Sequence, residues 1–282
     1  MTTSFGRSGA NFFTHIPQTG YVCPNAPETQ QMPAQNPDIK VSAWAESALE
    51  FKPSNTQKEV LDNNGKYIIL CCNRQWGKTT TIAIKALHRA IHQPNQSIVI
   101  ISRTKIQAGI LIERACNFAL RLGYKTRRAL GQRNSLKLPN GSAIFAVAHS
   151  QDTSVGNTAN VLVIDEAALV RDSVYSSVAA FLARTHGATW LLSTPRRQVG
   201  FFYNIWHSKD TRWSRILSTV KDCPEIDQDL LTILRETDEI KFRQDFMCEF
   251  IQPAGHLVST GILDAMIDPT LDPWQVPPTR PR

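Results

Sequence analysis

The sequence has no long apolar segment, because the longest apolar runs in its 282 residues extend over about six positions. A membrane-spanning helix needs roughly 20 apolar residues, so we expect no membrane partner. The first residues, 1–7, also lack the apolar stretch of a secretory signal. The six cysteines show neither Cys-x-x-Cys nor Cys/His ligand spacing, which excludes a zinc or disulfide framework. We expect reduced thiols in a cytoplasmic protein.

Basic residues are concentrated in one part of the chain. The net charge is +7, with 20% charged and 42% hydrophobic residues, as in a soluble globular protein. Between Arg103 and Asn140 only Glu113 is acidic, whereas nine residues are basic: 103, 105, 114, 121, 125, 127, 128, 133 and 137. This segregation predicts a polyanionic partner, nucleic acid first. A solvated basic face without a partner is the alternative.

A strand, a tight loop and a helix follow one another between residues 67 and 87. An apolar run, Tyr67–Cys71, precedes the loop Cys72-Asn73-Arg74-Gln75-Trp76-Gly77-Lys78-Thr79, and a helical pattern begins at Thr80. This order is typical of a phosphate-binding loop, where backbone N–H groups and a helix N-terminus surround phosphate. We expect Lys78 to reach the β- and γ-phosphates and the Thr79 hydroxyl to hold Mg²⁺. Cys72 replaces the usual first Gly, so an ordinary turn before an amphipathic helix is the alternative.

A second run, Val161–Ile164, ends in two carboxylates, Asp165 and Glu166. Continuous apolar runs of this kind are typical of strands buried on both faces of a parallel sheet. The carboxyl ends of such strands form the rim where α/β proteins bind ligands. We expect Asp165 to orient Mg²⁺ and Glu166 to act as general base toward the attacking water. Acids that merely open the following helix are the alternative.

Strand and helix patterns alternate along the chain, which predicts an α/β fold with a largely parallel sheet flanked by helices. Predicted strands are 67–71, 97–101, 143–148, 162–164, 189–192 and 215–218. Predicted helices are 79–92, 106–122, 173–184, 202–208 and 227–250. Pro139-Asn140-Gly141-Ser142 predicts a hairpin turn between residues 136–138 and the third strand.

The domain organisation follows from composition. Residues 1–50 are rich in Pro, Gln, Asn and Thr, which predicts a flexible or surface-hugging arm whose end is docked by Trp44 and Phe51. Residues 51–252 form the predicted ATPase domain, with a helical C-terminal part at about 225–250. Residues 253–282 are a Pro-rich tail or linker, so we expect no second large domain there.

Taken together, these motifs resemble the terminase large subunit, the DNA-packaging ATPase of tailed bacteriophages. The loop is similar to the family's Walker A variant with an internal Arg. The approach to Asp165-Glu166, from Val155 to Ala167, resembles its Walker B segment, and residues 136–142 resemble the segment before it. Leu191–Arg196 resembles its coupling motif, and Phe242–Phe250 resembles the end of its ATPase region. The resemblance covers roughly residues 50–255 and implies a P-loop NTPase fold of the ASCE/RecA-like type.

The resemblance implies a role for each matching residue. Gln57 would read the adenine edge, and an exposed helix residue is the alternative. Arg74 would contact the γ-phosphate as an arginine finger in cis. Ser193 and Thr194 would relay the phosphate state, and capping a strand end is the alternative. Further ATP contacts would come from Asn73, Gln75, Trp76, Gly77 and Thr80. Intersubunit or DNA-phosphate contacts are expected from Arg127, Arg128 and Arg133.

The implied function is an ATP hydrolase, with ATP and Mg²⁺, that drives double-stranded DNA into a procapsid. Implied partners are DNA, the terminase small subunit, the portal protein and further copies in a ring, within the bacterial cytoplasm. The family's nuclease domain has no counterpart in residues 253–282, so we expect no nuclease activity. A truncated form, a split gene and a prophage remnant all fit that difference.

Two other functions fit part of the sequence. A helicase of superfamily two shares the Asp-Glu-Ala and Ser-Thr elements, although a second motor domain is missing. A weakly catalytic, ATP-gated DNA-binding or assembly module is the alternative from another class. Glu166 discriminates between them, because a working base predicts hydrolysis.

Overall fold

The computed structural model describes residues 39–124, 134–148 and 158–252. Within them, a seven-stranded sheet has the order β3-β4-β2-β5-β6-β1-β7. Every neighbouring pair is parallel except the edge hairpin β3–β4, which confirms the predicted turn and the largely parallel sheet. The strands are β1 Tyr67–Cys72, β2 Ser97–Ser102, β3 Ser135–Lys137, β4 Ala143–Ala148, β5 Val161–Asp165, β6 Ala188–Ser193 and β7 Trp213–Ser218.

The central strands are apolar along their whole length because both faces of the sheet are covered. Side chains alternate between the faces, so Ile68 and Leu70 of β1 enter one core and Ile69 and Cys71 enter the other. Helices α1 to α4 contribute to the first core, and α5 and α6 contribute to the second. This two-sided burial is the physical reason why the strands were recognisable in the sequence.

Eight α-helices lie within the described residues. They are α1 Val41–Leu49, α2 Asn55–Asp62, α3 Lys78–His92, α4 Lys105–Arg121, α5 Asp172–Ala179, α6 Phe201–His207, α7 Gln228–Thr237 and α8 Glu239–Asp245. A 3₁₀ turn, Ala180–Leu182, takes the place of the last part of the helix predicted at 173–184. Across these helices, none combines the length and apolarity needed to cross a bilayer.

The order of the strands brings three chain segments together at one edge of the sheet. Strand β6 lies between β1 and β5, with Leu70 opposite Leu192 and Ile164 opposite Leu191. An additional strand between the loop strand and the acidic strand defines the ASCE arrangement, so that prediction is confirmed. Because β1, β5 and β6 are parallel, their carboxyl ends all open on the same side. The phosphate loop, Asp165-Glu166 and Ser193-Thr194 therefore share one rim.

The prediction of a flexible arm as far as residue 50 is wrong at its C-terminal end. Helix α1 spans Val41–Leu49, and Trp44, Ala45 and Leu49 are buried. The edge of Trp44 packs against His88 and His92 on α3, with ring centroids 4.9 and 5.8 Å apart. The predicted docking of Trp44 is confirmed, and the helix that carries it belongs to the core.

The predicted helix at 227–250 is wrong as a single element. It consists of α7 and α8, which are separated at Asp238, whose φ of −154° and ψ of 87° are not helical. The Asp238 side chain accepts a hydrogen bond from the Lys241 N–H at 2.9 Å and so caps α8. This competition between a local side-chain acceptor and a continuing helix is typical of Asp.

Replacing Trp44 with Ala tests whether α1 is part of the folded core. We expect the free energy of unfolding to fall by about 3–5 kcal/mol, because the change leaves a cavity between α1 and α3. The exposed Ser47 on the same helix gives the control, since Ser47→Ala should change stability by no more than about 0.5 kcal/mol. Denaturant titration measures both, and equal small effects would show that α1 adds nothing to the core.

Candidate nucleotide-binding site

A cavity of about 700 Å³ opens at the carboxyl edge of the sheet. Its floor consists of residues from the loop and strand ends: Arg74, Gln75, Lys78, Arg103, Glu166 and Thr194. Its opposite wall comes from α7 and α8, with Leu234, Asp238, Lys241, Phe242 and Phe246. A nucleotide would therefore contact both the strand ends and the C-terminal helices.

The loop after β1 exposes backbone donors to this cavity. Gln75 and Gly77 have φ values of 64° and 93°, and Gly77 directly precedes α3. Any side chain at Gly77 would be strained by this φ, and its Cβ would lie 2.9 Å from Nε2 of Gln57. In the described ranges, no acceptor is bonded to the N–H groups of Gly77, Lys78 and Thr79. Free N–H groups at a helix N-terminus are suited to phosphate oxygens.

Lys78 brings a cation to the same place. Its Nζ donates to Oγ1 of Thr194 at 3.3 Å, and Thr194 is buried at the end of β6. The contact joins the phosphate loop to the predicted coupling residues. Ser193 extends it, because its hydroxyl donates to the Thr194 carbonyl and accepts the Ala168 N–H at 3.2 Å, just beyond Glu166. A relay of the phosphate state through these contacts remains a prediction.

Asp165 and Glu166 stand side by side where β5 ends. Glu166 has a left-handed backbone with φ 54°, which re-aims the chain between β5 and the 3₁₀ turn Ala167–Leu169. Its N–H donates to Oδ1 of Asp165 at 3.0 Å. Oε2 of Glu166 is buried without a hydrogen-bond partner in the described structure, and Glu166 lines the cavity. A carboxylate in this position is able to accept a proton from a bound water.

Some residues predicted to contact ATP use their side chains to support the loop. Asn73 is fully buried, and its amide donates to the Arg74 carbonyl at 2.7 Å. The Trp76 ring is buried in the core, and its Nε1 donates to Thr56 at 3.0 Å. Thr80 accepts a hydrogen bond from the Arg114 guanidinium. Only the backbone of Asn73 and Trp76 is left for nucleotide contact.

Gln57 is held against the loop. It is the third residue of α2 and forms a capping box with Ser54, whose N–H donates to Oε1 of Gln57 at 2.9 Å. Its Nε2 donates to the Trp76 carbonyl at 2.7 Å. Gln57 is not among the described residues that line the cavity. Recognition of adenine by Gln57 remains a prediction, and it would use the second amide hydrogen.

The sequence analysis missed several residues of the cavity. Arg103 follows β2, and because parallel strands end at the same edge, that position was a usable signal. Asp245 and the wall from α7 and α8 gave no such signal, because no strand places them. Asp245 is 3% exposed and forms ion pairs with Arg74 and Arg196. The three arginines predicted to contact DNA or a neighbouring subunit (127, 128 and 133) lie outside the described residues.

The family follows from comparison with known proteins. A profile described as "Terminase large subunit, T4likevirus-type, N-terminal" matches residues 69–263, more than half of the chain. The chain belongs to the terminase large subunit family. Terminase large subunits of Thermus phage G20c and Thermus virus P23-45 are each 26% identical over 178 residues. That alignment covers 56% of this chain but only 36% of either relative, so the chain spans about a third of their length.

Solved terminase structures share the fold. The large terminase ATPase domain of Thermus phage P74-26 has a TM-score of 0.67 at 19% identity and covers 76% of this chain and 100% of that domain. The HK97 bacteriophage large terminase has a TM-score of 0.64 at 18% identity, over 75% of this chain and 55% of its own. The large terminase of a thermophilic bacteriophage, solved in complex with ADP, has a TM-score of 0.60 at 15% identity, over 70% and 54%.

The residues of this terminase fit Mg²⁺ through oxygen donors. Thr79 and Asp165 offer a hydroxyl and a carboxylate, the donor types that Mg²⁺ prefers. No group of three or more Asp, Glu, His or Cys side chains suited to a metal occurs in the described residues. A site with so few protein ligands is typical of Mg²⁺ held jointly with phosphates.

The acidity of Asp165 gives a pH-dependent prediction. Burial, together with the Glu166 carboxylate, raises the pKa of Asp165 from 3.8 to about 6, although Lys78 opposes this. Because the folded pKa exceeds the unfolded one, Asp165 stabilises the fold below about pH 4, and this contribution is lost as pH rises through about 6. In Mg²⁺-free buffer, Asp165→Asn should therefore gain stability over the wild type near pH 7.5 but not near pH 4. Denaturant titration at both pH values measures this, and a pH-independent difference would contradict it.

Proposed function

We propose that this terminase family member binds ATP in the cavity at the carboxyl edge and hydrolyses it. One observation carries the proposal: free loop N–H groups, Lys78 and the Asp165-Glu166 pair converge on a single cavity. The loop N–H groups and Lys78 hold the β- and γ-phosphates. Mg²⁺, held by Thr79 and Asp165, supplies neutralisation of phosphate charge.

The chemical step is assigned to two residues. Glu166 orients the attacking water and accepts its proton, as its position in the cavity and its unpartnered Oε2 allow. Arg74 stabilises the charge on the phosphoryl group as it transfers. Arg74 is half exposed and lines the cavity beside Lys78, within reach of a phosphate held by the loop.

We further propose that hydrolysis drives translocation of double-stranded DNA into a viral procapsid in the host cytoplasm. Family membership and the basic segment between Arg103 and Asn140 support this part. The proposed partners are DNA, the terminase small subunit, the portal protein and further copies in a ring. Contacts to DNA would be made to phosphates, because a motor must pass over any sequence.

Phosphate release from ATP with and without double-stranded DNA tests the proposal. We expect DNA to raise the rate, independently of its sequence, and the stimulation to weaken steeply as salt increases. Stimulation that depended on one DNA sequence would contradict translocation. Hydrolysis without any response to DNA would favour the alternative of an ATP-gated assembly module.

Two further proposals have their own tests. We propose that the chain has no nuclease activity, and incubation of supercoiled plasmid with Mn²⁺ would reveal nicking if it had. We propose that Gln57 selects adenine, so Gln57→Ala should reduce the preference for ATP over GTP. Equal preference in the variant and wild type would leave Gln57 with only its capping box and its bond to Trp76.

A further inference from the structure

Asp245, the last residue of α8, holds two arginines from different parts of the chain. Its carboxylate is 4% exposed, with Oδ2 2.9 Å from Nε of Arg74 and Oδ1 3.0 Å from a terminal nitrogen of Arg196. Arg74 belongs to the phosphate loop, and Arg196 lies just beyond the coupling residues after β6. A buried carboxylate shared by two guanidinium groups is strongly favoured in its ionised form and in one geometry.

The backbone fixes this carboxylate relative to both arginines. The Arg74 N–H donates to the Asp245 carbonyl at 2.9 Å. On the other side, the Gln244 amide donates to the Arg196 carbonyl at 2.9 Å, and the Ile251 N–H donates to the same carbonyl at 3.2 Å. The end of α8 is thus bonded to the phosphate loop and to the segment after β6 at once.

The geometry leaves the useful end of Arg74 available. Asp245 takes only Nε, and neither terminal nitrogen of Arg74 has an acceptor within the described ranges. The side chain is 51% exposed and lines the cavity next to Lys78. A guanidinium held by Nε presents its two terminal nitrogens as a fork, which suits bidentate contact with a phosphoryl group.

The second arginine decides the charge of the cluster. Asp245 and Arg74 alone would cancel, and Arg74 would then offer little net charge to a phosphate. With Arg196 bound to the other carboxylate oxygen, two cations share one anion and the cluster keeps a net charge of +1 beside the cavity. Asp245 thereby orients Arg74 without neutralising it.

We propose that Asp245 is a positioning residue that aims the Arg74 guanidinium at the γ-phosphate of bound ATP, with Arg196 preserving the positive charge. The inference rests on the proposed ATPase function. Preorganisation matters because a misplacement of about 1 Å at a reacting centre lowers the rate roughly 10²-fold. ADP, which lacks the γ-phosphate, should bind almost independently of Asp245.

The test uses the full chain and the variant Asp245→Asn, which keeps the size of the side chain and one acceptor oxygen. We expect kcat for ATP to fall roughly 10²-fold and the Kd for ATPγS to rise about tenfold. The Kd for ADP should stay within about twofold, since ADP makes no γ-phosphate contact. Glu239→Gln on the exposed face of the same helix is the matched control and should leave all three values unchanged.

Double substitution separates positioning from a merely structural role. If Asp245 acts through Arg74, Asp245→Asn should cause no further loss of kcat in an Arg74→Ala background. An equal loss in both backgrounds would overturn the inference, as would a kcat that rises or stays the same in Asp245→Asn. Arg196→Gln gives a second test that keeps Asp245, and it should lower kcat because Asp245 then neutralises Arg74.

The two proposals fail in different ways. If the wild type does not hydrolyse ATP, the ATPase function fails, and the ratio of the ATPγS and ADP dissociation constants still decides the role of Asp245. If the wild type hydrolyses ATP and Arg74→Ala is impaired, but Asp245→Asn is not, only the positioning role is overturned.

Discussion

Substituting Lys78 by Ala should lower kcat/KM for ATP by roughly 10²–10³-fold and strongly weaken nucleotide binding. Lys78 is the cation at the start of α3, beside backbone N–H groups that have no acceptor in the described structure. Its ammonium group donates to the Thr194 hydroxyl, a neutral acceptor, so its charge remains available for phosphate. Steady-state kinetics and titration with ATP and ADP measure the effect.

A matched control lies at the other end of the same strand. Lys66 directly precedes β1 and lies on the amino edge of the sheet, away from the carboxyl rim. Lys66→Ala should leave kcat/KM within about twofold, because surface substitutions away from a site have small effects. If Lys78→Ala behaved like Lys66→Ala, the loop would not be a phosphate site.

Glu166→Gln is expected to lower kcat roughly 10²–10⁴-fold while ATP stays bound. Glutamine has the same size and fits the left-handed backbone at this position equally poorly, but it is unable to accept a proton. The loss should therefore appear in the chemical step and leave binding nearly unchanged. Single-turnover hydrolysis together with equilibrium binding separates the two.

Glu113→Gln controls for the loss of one carboxylate. Glu113 is exposed on α4 and does not line the cavity, so its substitution should have little effect on kcat. Unchanged hydrolysis in Glu166→Gln would remove Glu166 from the mechanism and would direct attention to another base. Loss of binding in that variant would indicate a structural role for the carboxylate.

The sheet and its functional rim were predictable because they depend on short-range pattern. Each central strand is a continuous apolar run, since both of its faces are buried, and its carboxyl end carries the polar residues. Strand order was not readable from pattern alone, yet the resemblance to terminases implied the strand between β1 and β5. The family is confirmed by the profile match over residues 69–263.

The parts that the sequence did not predict depend on long-range packing. Helix α1 has no side-chain N-cap and spans only Val41–Leu49, so it lacks a start signal and is stabilised by contacts with α3. Asp245 has an ordinary sequence context, and its role arises from arginines that are far from it along the chain. Pattern analysis finds residues near strand ends, whereas such tertiary ion pairs need coordinates.

The most direct test of the account is the release of inorganic phosphate from ATP by the wild-type chain, with and without Mg²⁺. The account predicts hydrolysis that requires Mg²⁺ and disappears in both Lys78→Ala and Glu166→Gln. ATP that binds without any Mg²⁺-dependent phosphate release would contradict the central claim that this cavity is a hydrolytic site.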